Sequence, residues 1–157
     1  SVARVTLEMP DHYPFSTELA VRIEHINRGD HLGNEHLIAF LNEARMRYLP
    51  AGLTRSASDN IGLINGDLAV IYRSEAHYGD VLLIRVAASN VHHYGFDLYF
   101  DVSARADGRD IAQAKMSMLL FDFTQRQLLP MSDAMAQAVR SAPNSAELAT
   151  INRDQGK

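Results

Sequence analysis

The stretch HLGNEHLIAF, residues 31–40, sets two histidines, an asparagine and a glutamate around a glycine and then turns apolar. Imidazoles and carboxylates are the side chains that move protons near neutral pH, and a carboxylate can also attack a carbonyl carbon. If the apolar run is a helix, its first turn holds backbone N–H groups with no partner inside the helix, at the positive end of the dipole. Donors of that kind, aimed at developing negative charge in a dry site, are worth about 3 kcal/mol each. Glu35, in that first turn, is the best-placed carboxylate for a general base or nucleophile, and Asp30 is second. His31 is suited to orienting water or passing a proton. Gly33 has no side chain to block a close approach to the opening of such a helix.

The same residues have a plainer reading. Asn34 is a good helix cap, and a glutamate in a first turn simply favours the dipole. His31 and His36 also suit exposed polar positions, and His25 falls on the apolar side of an alternating segment, where a packed histidine fits. A metal site is not expected. His31 and Glu35 are four apart, but only Glu35 and His36 fall on the helix, where adjacent positions point apart, and no His-Glu-x-x-His motif is present. His92-His93 reads as a solvated pair in a turn.

A chain of 157 residues suits a single domain with a real core, and a formal charge of −4 without a Lys/Arg stripe disfavours nucleic acid and anionic membrane as partners. Cysteine is absent, which removes thiol nucleophiles and thiolate metal sites. No apolar run reaches membrane-spanning length and the first residues do not resemble a signal peptide, so the chain reads as cytoplasmic.

The positioning elements follow from periodicity. Residues 17–26, TELAVRIEHI, alternate with Leu19, Val21 and Ile23 on one face and read as a strand. From Asn34 to Leu49 the spacing changes to three and four, through Leu37, Ile38, Leu41, Ala44 and Tyr48, with Phe40 widening the stripe; this predicts a helix stopped by Pro50 and Gly52. TRSASDNIG reads as a polar loop. Strands are then expected over 66–76, 81–89, 96–105 and 109–123, with turns at Gly79-Asp80 and Asp107-Gly108. Ser132 caps a short predicted helix, and the tail from Ser141 is polar. The order is one strand, one apolar helix, then four antiparallel strands, an α+β arrangement in which an antiparallel sheet of about five strands wraps a long central helix. Its long strands leave an edge for a second subunit.

HINRGDHLGNEHLIAFLNEAR followed by DLAVIYRSEAHYGDVLLIRV resembles the hotdog-fold acyl-CoA thioesterases of the 4-hydroxybenzoyl-CoA thioesterase type. In that family a strand leads into an Asp-rich loop containing Gly-His-Val-Asn-Asn or a variant. The loop opens the central helix, which carries an Ala-Arg pair, matched by Ala44-Arg45, and a Tyr and Gly-Asp follow, matched by Tyr72 and Gly79-Asp80. The likeness covers about residues 17–122 of a single hotdog domain, with 130–157 as a C-terminal extension.

The resemblance implies hydrolysis of an acyl-CoA thioester without cofactor or metal, in a homodimer or homotetramer with sites at the subunit boundary. The family's catalytic Asp position falls on Asn27, its His on His31, and the oxyanion-donating N–H near Asn34. An amide orients groups by hydrogen bonding but is neither base nor nucleophile. The missing carboxylate is therefore expected from Glu35, with Asn27 and His31 orienting. By family position Tyr72 and Arg73 face substrate, Arg73 toward a coenzyme A phosphate. The loss of Asp at 27 keeps two alternatives open: a non-catalytic acyl-CoA-binding protein, and another hotdog enzyme such as an enoyl-CoA hydratase.

Overall fold

Phe96, Leu98, Phe100, Val102 and Ala104 alternate along one strand, and all five are buried on one face of an antiparallel sheet. The computed structural model describes residues 4–50, 53, 55–56 and 59–141. Its strands are β1 (Phe15–Ala20), β2 (Arg55–Ser56), β3 (Ile61–Tyr72), β4 (Val81–His92), β5 (Gly95–Ala104), β6 (Asp110–Asp122) and β7 (Gln127–Leu128). The spatial order is β1-β4-β5-β6-β3-β2, with β7 beside β6, and every pairing is antiparallel. Five long strands match the expected sheet; the two-residue β2 and β7 are additions.

The helix α1 (Asn34–Tyr48) buries Leu37, Phe40, Leu41, Ala44 and Tyr48. These join the inner rows of β4 (Leu82, Ile84, Val86), β5 and β6 (Ala112, Ala114, Met116, Met118) in one core. Each large apolar side chain removed from water contributes about 1.5–3 kcal/mol, which is what fixes the helix on this face of the sheet. Register places Ala114 opposite Phe100 and Ala112 opposite Val102, small against large. Leu49 turns extended ahead of Pro50 and ends α1 where expected; Gly52 lies outside the described residues. A second helix, α2 (Asp133–Arg140), is capped by Ser132, whose hydroxyl accepts from the Met135 N–H at 3.1 Å. The tail from residue 142 lies outside the described residues.

Several expectations about local structure are corrected. The first strand ends at Ala20, not residue 26, because its partner β4 starts at Val81. Past that point Val21 bonds only the Gly79-Asp80 turn, and a 3-10 turn over Ile23–His25 leaves Ile23 70% exposed. The polar loop at 54–62 instead contains β2 and the start of β3. Asn34 is not the helix cap: it is the first helical residue, and Gly33 holds the cap position. β4 also runs on to His92, beyond the expected end at residue 89.

One edge is open. Apart from the β2 pairing at Ile61 and Gly62, β3 is hydrogen-bonded among the described residues only on its β6 side. Asp67 follows a bulge at Gly66 and accepts Lys115 Nζ and the Ser117 N–H.

Candidate active site

The loop in front of α1 is shaped by Asn27. Its Oδ1 accepts the Gly29 N–H at 2.9 Å and the His31 N–H at 3.4 Å, an Asx-type turn. Asn27 N–H bonds the His31 carbonyl at 3.0 Å, and Asp30 sits at φ 64°, the left-handed conformation that asparagine and aspartate tolerate. This positions His31, whose Nδ1 lies 3.2 Å from the Leu32 carbonyl. A carbonyl only accepts, so Nδ1 carries the proton in that bond and Nε2 points away from it.

Gly33 opens α1 without a side-chain cap, its carbonyl accepting from His36 N–H at 3.1 Å and Leu37 N–H at 3.0 Å. The N–H groups of Asn34 and Glu35 find no acceptor among the described residues, leaving two donors at the positive end of the helix. Gly33 has φ −71° and ψ 151°, which any residue can adopt, so its value here is space. That space is occupied by Glu35, whose Oε1 lies 2.8 Å from where a Cβ on Gly33 would stand.

A second segment closes the site from the far side of the chain. Leaving β3, Arg73 and Ser74 donate their N–H groups to the Ile111 carbonyl, and the Ser74 hydroxyl donates to the Asp110 carbonyl. The Ala76 carbonyl accepts the Leu32 N–H at 2.8 Å, which ties this segment to the helix-opening loop. Arg109 reaches across from the β5–β6 hairpin to the Glu75 carbonyl at 3.1 Å and to Asp80 at 3.0 Å.

Between the two segments is a cavity of about 250 Å³. Its polar wall is His31, Asn34, Tyr72, Arg73, Ser74 and Glu75, and its apolar lining is Leu32, Leu37, Ala76 and Ile111. His31, Asn34, Tyr72 and Arg73, expected from the sequence, therefore meet in one place. Asn27 and Glu35 do not line the cavity: the Asn27 side chain is spent on the loop, and the Glu35 side chain is 72% exposed, 3.6 Å from His36. Asp30 is exposed in the loop and does not line it either. His25 packs its ring edge-on against Phe40 at 4.7 Å and accepts the Arg22 N–H, a packed and satisfied histidine. Among the described residues no three His, Asp or Glu side chains gather as a metal site.

Glu75 is, with Ser74, a polar wall residue that sequence reasoning missed. Its Oε1 is 3.8 Å from His31 Nε2 and its Oε2 is 3.5 Å from His77 Nε2. The available signal was a carboxylate two residues from Arg73 and two from His77, inside the strand expected over 66–76, which ends instead at Tyr72.

A long helix packed on an open antiparallel sheet is the hotdog fold. A family model described as the thioesterase-like superfamily matches residues 21–139, and the chain belongs to that superfamily. No curated protein matches the sequence significantly. Among solved structures, the probable thioesterase YbaW of Escherichia coli is 21% identical with a TM-score of 0.68, over 80% of this chain and 95% of that one. A 1,4-dihydroxy-2-naphthoyl-CoA thioesterase from Synechocystis is 16% identical with a TM-score of 0.72, over 80% and 93%. At these identities the likeness establishes the fold. No helix among the described residues is long and apolar enough to cross a membrane.

Proposed function

We propose that the protein hydrolyses an acyl-CoA thioester to the free acid and coenzyme A at the cavity beside the opening of α1. The observation that carries this reading is the pair of free N–H groups at Asn34 and Glu35, next to a cavity lined by His31, in a chain of the thioesterase-like superfamily. The thioester carbonyl would lie over Gly33 with its oxygen toward these donors, which stabilise the oxyanion as water adds. His31 passes a proton, Asn27 holds the loop that carries it, and Tyr72 and Arg73 contact substrate. Arg73 already donates to Gln113 at 3.1 Å, which orients its guanidinium for an acidic group such as a coenzyme A phosphate. Glu35, the carboxylate the sequence offers as base or nucleophile, would have to swing off Gly33 to reach the cavity. The Synechocystis relative, named for a coenzyme A ester, supports that leaving group.

The working form in this reading is a cytoplasmic homodimer, or a pair of dimers, with the open edge of β3 as the seam. Sedimentation of a lone monomer at micromolar concentration would count against the seam.

The test of function is a thiol-release screen over short, long and aromatic acyl-CoAs. Asn27, at the family's Asp position, favours the second reading of a non-catalytic acyl-CoA binder, which binds the esters and releases no thiol. Loss of the double bond from an enoyl-CoA without thiol release would identify a hydratase instead.

A further inference from the structure

We propose that Glu75 is the catalytic carboxylate of this site, the general base that activates water for attack on the thioester. The inference rests on the hydrolytic reading above and moves its base from Glu35 to Glu75. Glu75 lines the cavity, whereas the Asn27 and Glu35 side chains do not. Its two oxygens are divided between two imidazoles: Oε2 lies 3.5 Å from His77 Nε2, and Oε1 faces His31 Nε2 at 3.8 Å. The backbone beneath it is fixed at three points, by Arg109 on the Glu75 carbonyl, Leu32 on the Ala76 carbonyl and Ile111 on the Ser74 N–H. A segment held this way carries its carboxylate to the cavity before substrate arrives, and the side chain, 62% exposed, stays open to the water it would activate.

The chemistry balances without any further reactant. Glu75 takes a proton from water as the water oxygen bonds to the thioester carbon, and the carbonyl π pair moves onto oxygen, facing the Asn34 and Glu35 N–H groups. Collapse of the tetrahedral intermediate re-forms the C=O bond and breaks the C–S bond. The proton on Glu75 passes to Nε2 of His31, whose Nδ1 is engaged with the Leu32 carbonyl, and from there to the departing thiolate. The products are carboxylic acid and thiol, and Glu75 and His31 end as they began.

The experiment compares the wild-type protein with Glu75→Gln, Glu75→Asp, Glu35→Gln and the surface control Glu24→Gln, whose residue is paired with Arg22 outside the cavity. The assay is thiol release from the best acyl-CoA of the screen, with kcat and KM measured from pH 4 to 9 (about the range over which Glu and His titrate). The charged groups around Glu75 are His31, His77, Arg73, Arg109 and Asp80, so the acid limb is assigned by its loss in Glu75→Gln and its retention in the control. The expected result is a fall in kcat of about 100-fold or more for Glu75→Gln, with KM changed by less than about threefold, the acid limb gone, and partial activity in Glu75→Asp. Turnover surviving in Glu75→Gln, or abolished by Glu35→Gln while Glu75→Gln stays active, overturns the assignment and leaves hydrolysis standing. A wild-type protein that releases no thiol from any ester overturns both.

Discussion

Replacing Arg109 by Met keeps an unbranched side chain of similar length and removes the guanidinium that ties the β5–β6 hairpin to the cavity wall. Three contacts go with it. The bond to Asp107 at 2.8 Å is made at the surface by a residue only two positions away and stabilises nothing measurable. The pair with Asp80 at 3.0 Å joins side chains 34% and 25% exposed, and after solvent screening it is worth about 1 kcal/mol. The bond to the Glu75 carbonyl at 3.1 Å adds about 0.5–1 kcal/mol, since water replaces part of it. The expected total is about 1.5–2 kcal/mol, a fall in Tm of about 3–8 °C for a chain of this length. The kinetic effect is separate. Freeing the Glu75 carbonyl forfeits about 1 kcal/mol of positioning, or about fivefold in kcat, and Arg109→Lys should recover part of both. Thermal unfolding and thiol release measured well below the midpoint give the two numbers independently. A variant that melts lower yet turns over at the wild-type rate would refute the step from hairpin to cavity.

The remaining predictions concern the scaffold. A Cβ on Gly95 would lie 1.8 Å from the Met118 carbonyl oxygen, a backbone atom, so Gly95→Ala should cost about 3 kcal/mol or more in urea unfolding. Leu41→Ala, at a fully buried position of α1, should cost about 3 kcal/mol in the same measurement. Burial works against the Lys115 ammonium, but hydrogen bonding to Asp67 and the charges of Asp97 and Asp67 outweigh it and raise its pKa. A raised cation contributes stability that is whole below the ordinary lysine value and is lost as pH climbs through the raised one. Stability measured from pH 9 to 12 (about the lysine range) should therefore fall less steeply in Lys115→Met than in the wild type. Asn27→Ala removes two acceptor bonds and should lower stability by about 1–2 kcal/mol and turnover with it, whereas Asn27→Asp keeps both acceptors and should hold the loop.

The legible parts of the molecule are those set by local pattern. Leu37, Leu41, Ala44 and Tyr48 recur at helical spacing and end at Pro50, and Phe96 to Ala104 alternate, so α1 and β5 could be read directly. Ile23 continued the alternation of β1, but a strand lasts only as far as its partner, and β4 had already begun its turn. Asn34 and Gly33 both suit a helix start, and the cap fell to the residue whose carbonyl accepts the first helical bond. His31 stood out by its chemistry beside a predicted helix start, and Asn34, Tyr72 and Arg73 were found through a family pattern. Glu75 was not, because its place beside His31 depends on the Leu32–Ala76 bond between segments more than forty residues apart.

The cavity wall after β3 is attached almost wholly through main-chain oxygens. Ala76, Ile111, Asp110 and Glu75 each contribute a carbonyl, and donors from Leu32, Arg73, Ser74 and Arg109 complete the bonds. Every residue type carries that carbonyl, so the path of this segment is nearly independent of which side chains it bears at positions 72, 73 and 75. The fold thus separates where the wall runs from what the wall says. New substrates can be met by point changes at positions 72 and 73, with the frame and Glu75 untouched, and a library confined to those two would vary selectivity without first having to rescue folding.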